Sequence, residues 1–410
     1  MNIYKESKTS NKITVITSEN KNSEIINISF LIRSGSCYEQ LNQRGYAHLL
    51  EHMLLRGTKN KPSFFDISCI TDRSGAFFNA YTDIEIVKLV ASVVKESFED
   101  IFNLMTDIIT NPLLDVHVLE NEKKVVVQEL KRAFDNRESR IRIESIKNTF
   151  KGHSLSNFPL GEEKDIIGAT AKDLKNYYEE FFRPDRMAII ATGNINHNYL
   201  VKLIENQLGN WGIGDSQINN FINPKLEKRN IFIEMPGTQT HLALNFLIPK
   251  SSLEKNIIFN IIANYLGYGH TSLLYREIRH KLGLAYSISV SNYFYSSAGI
   301  FSIITSTTFP KKTIDLLLDR TQHVKNYLNN DLFSEYQQQV VNIGRRQFDN
   351  SFDEMNFLGL RWGLYGRLVT LQEVEDVIMK ISFNQLIETT EKYLNKSNFV
   401  LLALGEKNPF

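Results

Sequence analysis

The sequence predicts an α+β fold in two related domains, each a mainly antiparallel sheet with helices packed on one face. β-rich and helical segments are interspersed without the regular single alternation of a doubly wound sheet. A helix–strand plan recurs late in the chain. The length of 410 residues also exceeds what one ordinary core organises.

In chain order, Lys12–Thr17 and Ile25–Ile32 read as strands, followed by Gly35 and a polar loop. From about Gly45 the pattern turns helical. A second helix is expected around Phe64–Gly75, then a β-rich stretch at Ala80–Val94. Helical periodicity returns at Phe98–Thr110 and in a long charged stretch from Val116 to Phe150. Asn111-Pro112 separates those two, because a residue before proline is pushed out of the helical region.

The recurrence has two parts. Leu174–Tyr178, on a helix, precedes the strand Met187–Gly193, and Leu386–Tyr393 precedes Phe399–Gly405; the two glycines stand 212 residues apart. Phe30-Leu31-Ile32 and Phe246-Leu247-Ile248 repeat at 216. Two pairs at nearly one offset predict a duplicated domain. Gly, Asn, Ser and Asp interrupt the periodic pattern at Gly209–Lys228, which places the domains at 1–215 and 225–410.

An apolar fraction of 42% and a charged fraction of 23% describe a globular protein. A net charge of +1 gives no electrostatic reason to expect nucleic acid or a membrane surface as a partner. Cys37 and Cys69 are the only cysteines, which argues against a disulfide framework and excludes a zinc cage made of cysteine. Met1–Asn20 carries Lys5, Lys8 and Lys12 without an apolar core, and no apolar run reaches about 18 residues. Neither a secretory signal nor a membrane span is expected, and the expected location is the cytoplasm.

The chemistry centres on His48-Leu49-Leu50-Glu51-His52. Residues four apart share one helix face at neighbouring turns, so two imidazoles can reach one ion while Glu51 lies beside them. This is H-x-x-E-H, the reverse of the common zinc motif. A catalytic zinc usually takes three protein ligands, so a third is needed. Glu122 and Glu129 are seven apart on the charged helix, flank a valine triplet and face the same way. Spacing alone leaves them equally readable as surface ion-pairing residues. His117, His153, His197, His241, His270, His280 and His323 have no ligand spacing.

The segment Gly45–Thr58, GYAHLLEHMLLRGT, resembles the signature of the inverzincin zinc metallopeptidases, the family of pitrilysin, insulin-degrading enzyme and mitochondrial processing peptidase. The resemblance covers most of the chain. It implies one Zn²⁺ per chain held by His48, His52 and a glutamate 77 residues after the second histidine, which is Glu129. It implies Glu51 as the general base, and Glu122, seven before that ligand, as an auxiliary acidic residue of the catalytic group that orients an imidazole. Gly75–Thr82 is similar to the family's substrate strand, so Phe78, Asn79 and Ala80 are expected to bind an extended peptide. Ser272–Ser287 is similar to its Arg/Tyr segment and implies that Arg279 and Tyr286 bind the substrate carbonyl; Leu282 departs from the charged residue common there. Residues 1–215 become a zinc-binding catalytic domain and 225–410 a homologous domain carrying the Arg/Tyr segment.

The implied activity is endopeptidase cleavage of short or unfolded peptides. The implied assembly is a homodimer, with a heterodimer with a related subunit as the other arrangement. Two further classes stay open: a catalytically idle structural or peptide-binding subunit, and a zinc hydrolase of small molecules.

Overall fold

The computed structural model describes residues 3–212, 224–226, 229–250 and 252–410. The first half runs β1 (Ile3–Lys8), β2 (Thr14–Glu19), β3 (Ile25–Ile32), α1 (Tyr46–Leu54), α2 (Phe64–Arg73), β4 (Phe77–Thr82), β5 (Val87–Val94) and α3 (Phe98–Thr110). It continues through α4 (Val116–Asp135), α5 (Arg137–Thr149), α6 (Glu163–Gly168), α7 (Ala171–Phe181), β6 (Met187–Gly193) and α8 (His197–Leu208). The second half runs β7 (Arg229–Glu234), β8 (Thr240–Pro249), α9 (Leu253–Gly267), a π-helical turn at Tyr275–Lys281, β9 (Ala285–Phe294) and β10 (Ala298–Thr307). It ends with α10 (Pro310–Gln322), α11 (Asn330–Gln347), α12 (Ser351–Tyr365), α13 (Leu371–Lys380), α14 (Phe383–Tyr393) and β11 (Val400–Gly405).

One sheet has the order β1-β2-β6-β3-β5-β4 and the other β7-β11-β8-β10-β9. With β1 set aside, the two orders correspond strand for strand. The parallel pair also falls at the same place, β2 with β6 and β7 with β11, and the remaining pairs are antiparallel. The recurring segments of the sequence are these corresponding strands: β6 with β11 and β3 with β8. The fold is α+β in two related units, as the sequence predicts.

The compact units are built from interleaved stretches of chain. One comprises Met1–Arg132, Asn157–Asn220 and Gln347–Thr370; the other Ala133–Ser156, Phe221–Arg346 and Leu371–Phe410. Two stretches therefore cross the division at 215–225, and most of Gly209–Lys228 lies outside the described residues. The reason is burial. β3 and β6 are buried almost throughout, and a strand apolar at successive positions must be covered on both faces.

In the first unit Phe30 meets Phe102 of α3 edge-on, at 5.6 Å between ring centroids. The next residue, Leu31, points the other way and packs with Ile16, Val90 and Ile190 against Met355, Leu358 and Trp362 of α12. In the second unit Phe259 of α9 covers Phe301 on one face, while Ile141 of α5 packs on Ala243, Val400, Leu402 and Leu404 on the other. Helices thus lie on one face of each sheet, as expected, and a single helix from the other half of the sequence covers the second face.

The charged stretch Val116–Phe150 is two helices rather than one. Asn136 breaks it by taking the N-cap position of α5, where its side chain accepts from the Ser139 amide. The stretch Ala80–Val94 is likewise a hairpin, β4 and β5, paired from Phe77↔Ser92 to Thr82↔Val87. Among the described residues no helix is long and apolar enough to cross a membrane.

Candidate metal centre

The helix α1 is fixed at its N-terminus before any metal is considered. Gly45 caps it with φ 100°, a left-handed conformation that glycine adopts without strain. A Cβ there would stand 2.9 Å from Ile166 Cγ1. The amides of Gly45 and Ala47 donate to the two carboxylate oxygens of buried Glu39, at 3.0 and 2.9 Å. A carboxylate at a helix N-terminus also suits the helix dipole. Burial nevertheless pushes the Glu39 carboxyl up to about 8, against the pull of those two amides.

Ala47, Leu49, Leu50, Met53 and Leu54 bury the apolar side of α1. His48 and His52 emerge together from the remaining face, their rings 4.7 Å apart and nearly perpendicular. Glu129, two turns past Glu122 on α4, reaches both: its Oε2 lies 3.6 Å from His48 Nε2 and 3.7 Å from His52 Nε2. One ligand atom from each of the three lies within 4.8 Å of the others.

These separations are too long for hydrogen bonds. They suit atoms arranged around a small cation, since tetrahedral bonds of about 2.0–2.2 Å set ligand atoms roughly 3.3–3.6 Å apart. The donor set also fits zinc chemically. Burial, with help from His52, pushes the His48 pKa down to about 3, so its imidazole is neutral and has a lone pair to give. His48 Nδ1 is buried without a hydrogen-bond partner among the described residues.

Two residues hold this group in place. Glu122 is buried and its Oε2 lies 3.0 Å from His52 Nδ1, which leaves Nε2 to face Glu129. Arg56 secures the same carboxylate at both oxygens, Nε to Oε1 at 2.8 Å and Nη2 to Oε2 at 3.2 Å. Its guanidinium sits over the Phe64 ring at 4.9 Å. Glu51, buried on α1, accepts a 2.7 Å hydrogen bond from the Thr82 hydroxyl. Burial raises the Glu51 pKa above the usual carboxyl range, and the Thr82 bond opposes the rise.

Thr82 ends β4, which pairs only with β5 and so forms an edge of its sheet among the described residues. Along β4, Phe77 meets Phe352 of α12, so Asn79 and Tyr81 share that face while Phe78, Ala80 and Thr82 face the other. Asn79 Oδ1 accepts from the Ala80 amide at 2.9 Å.

Arg279 and Tyr286 belong to the second unit. Arg279 comes from the π-helical turn and Tyr286 from β9, an edge strand like β4. The guanidinium lies 4.2 Å from the Tyr286 ring centre and 5.0 Å from that of Tyr275, whose hydroxyl it also contacts. Tyr286 is 74% exposed.

Glu39, Arg56 and Thr82 were not singled out by sequence reasoning. Each acts through a partner distant in sequence or on another element; Arg56, inside the signature segment, and Thr82, at the end of the substrate-strand segment, left a signal, and Glu39 left none.

Two family models match in tandem: residues 14–162 match "Insulinase (Peptidase family M16)" and residues 168–340 match "Peptidase M16 inactive domain". The chain belongs to peptidase family M16. Within that family, it is 27% identical over 390 residues to an uncharacterized zinc protease of Rickettsia felis, covering 94% of each chain. A probable mitochondrial-processing peptidase subunit beta of Schizosaccharomyces pombe is 30% identical over 200 residues, 48% of this M16 chain and 43% of the relative. The crystal structure of a protease from Helicobacter pylori shares the fold, with a TM-score of 0.88 at 18% identity over 99% of this chain and 100% of that one.

Proposed function

We propose that this M16 chain is a zinc-dependent endopeptidase that hydrolyses peptide bonds in short or unfolded peptides. The convergence of His48, His52 and Glu129 beside the buried carboxylate of Glu51 carries this reading. His48, His52 and Glu129 would hold one zinc ion per chain. When bound, that ion supplies Lewis acidity, polarising a carbonyl and lowering the pKa of water to about 7.

Glu51 is the base. A carboxyl group with a raised pKa can take a proton from the attacking water and still give it up readily. The water oxygen bonds to the scissile carbonyl carbon, the C–N bond breaks, and Glu51 passes the proton to the leaving nitrogen. Thr82 holds the Glu51 carboxylate in place through Oε2. Glu122 orients His52 and presents Nε2 to the metal position.

An extended peptide would add to the free edge of β4 near Phe78, Asn79 and Ala80, by main-chain hydrogen bonds that tolerate many sequences. Arg279 and Tyr286, a half-buried guanidinium beside an exposed phenol, suit a carbonyl oxygen. In a homodimer they would serve the metal site of the partner subunit; a heterodimer with a related chain would use them in the same way. Full activity from a chain that sediments as a monomer would remove this shared-site arrangement.

The competing reading is a catalytically idle subunit. The model described as inactive covers 168–340, and α1 falls in the other match. The deciding experiment is Glu51→Gln. It should retain the zinc of the wild type and lose cleavage of a quenched-fluorescence peptide panel; undiminished cleavage would refute the assignment.

A further inference from the structure

The face of β4 turned away from the histidines borders a cavity that the proposed chemistry does not use. It lies between α12 and the sheet and encloses about 350 Å³. Ile86, Met355 and Leu360 form apolar walls, and Tyr81 stands at its lip on the edge strand. Lys88, Asn356 and the exposed Asp83 line it as well.

Lys88 pairs with Tyr81 across β4 and β5, so both side chains stand on this face. Its ammonium leans toward the edge, 5.1 Å from the Tyr81 ring centre, and donates to Asn356 Oδ1 at 3.2 Å. Both partners are neutral, and among the described residues Lys88 has no salt bridge. An ammonium carries three donors. Burial draws the Lys88 pKa below its usual value, while the charge of Asp83 opposes this. A half-buried cation whose hydrogen-bond acceptor is neutral, and which Asp83 reaches only through space, is stabilised most by a carboxylate brought into direct contact in the same low-dielectric space.

A peptide strand added to β4 would place alternate side chains on this face, beside Phe77, Asn79 and Tyr81. We infer that the cavity is a specificity subsite that takes a glutamate or aspartate side chain of the bound peptide, its carboxylate paired with Lys88 and its methylenes against Ile86 and Leu360. The inference rests on the peptidase reading, with the peptide lying along β4. Because Thr82 of the same strand bonds Glu51, the acidic residue would sit close to the cleaved bond.

A peptide scanned with Glu and then Gln at each position tests this, read both as cleavage by the wild type and as binding to the Glu51→Gln protein. One position should favour Glu over Gln by about tenfold in kcat/KM and in affinity, the scale of one charge-assisted hydrogen bond. The ratio should fall to near unity in Lys88→Met and survive in Lys88→Arg. Asn356→Asp, which sets a carboxylate beside the ammonium, should also erase it and serves if Lys88→Met does not fold. No acidic preference at any position, or one that Lys88→Met leaves intact, overturns the subsite. Cleavage without that preference would sink the subsite alone; selective binding without cleavage would keep it and sink the peptidase reading.

Discussion

The Thr82 hydroxyl and Glu51 Oε2 meet across 2.7 Å, joining the last residue of an edge strand to the buried carboxylate of α1. Removing that donor leaves burial as the dominant influence on Glu51, so its pKa should climb further. A base acts when deprotonated. Thr82→Val should therefore move the acid limb of the kcat/KM profile to higher pH by about one unit, the size expected for one hydrogen bond to a charged group. Thr82→Ser should keep the wild-type limb. Equal zinc contents would show that the shift arises at the base.

Glu122 contacts His52 Nδ1 and the Nε and Nη2 of Arg56. Substitutions behind a metal ligand typically weaken metal affinity about 10–100-fold. Glu122→Gln should do so, measured by competition with a zinc chelator, while Lys131→Gln, exposed on the same helix, should leave affinity unchanged.

Zinc binding to the folded chain should also stabilise it, since a ligand that binds only the native state raises its stability with concentration. A strong chelator should lower the melting temperature and abolish cleavage, and added zinc should restore both. Glu129→Ala should melt low from the start and respond little to the chelator. A wild-type melting curve indifferent to chelator would contradict a dication bound by His48, His52 and Glu129.

Glu39 predicts the pH dependence of stability. Its carboxyl titrates near 4.5 when exposed and is pushed up to about 8 in the folded chain. The folded state therefore holds a proton that the unfolded state releases across that interval. The stabilisation is complete below about 4.5 and is lost as pH rises through about 8. Below about 6.5 this loss is opposed by His48, whose lowered pKa makes stability rise with pH, so melting temperature should decline chiefly from about 6.5 to 8, and Glu39→Gln should flatten that decline. A wild type whose stability rises from about pH 6.5 to 8 as steeply as that of Glu39→Gln would contradict a protonated Glu39.

What the sequence made legible follows the range of each interaction. His48 and His52 are neighbours on one helix, so local spacing displays them. Glu129 stands 77 residues beyond His52, and its own spacing left it no different from a surface glutamate until the family pattern was applied. Arg56, Thr82 and Glu39 gain their roles only from tertiary contacts, which periodicity does not encode. Strand duplication was readable because β3 and β8, and β6 and β11, keep similar apolar runs. The exchange of α5 and α12 was not, because an amphipathic pattern shows that a helix has a face to bury without naming the sheet that receives it.

That exchange has a consequence for synthesis. The ribosome releases β1 through β6 well before α12, so Leu31, Val90 and Ile190 lack their cover until residues 351–365 emerge. The nascent first half carries a bare greasy surface for more than a hundred and fifty residues of translation. Severing the gene near residue 220 would leave two fragments, each without one wall of its own core.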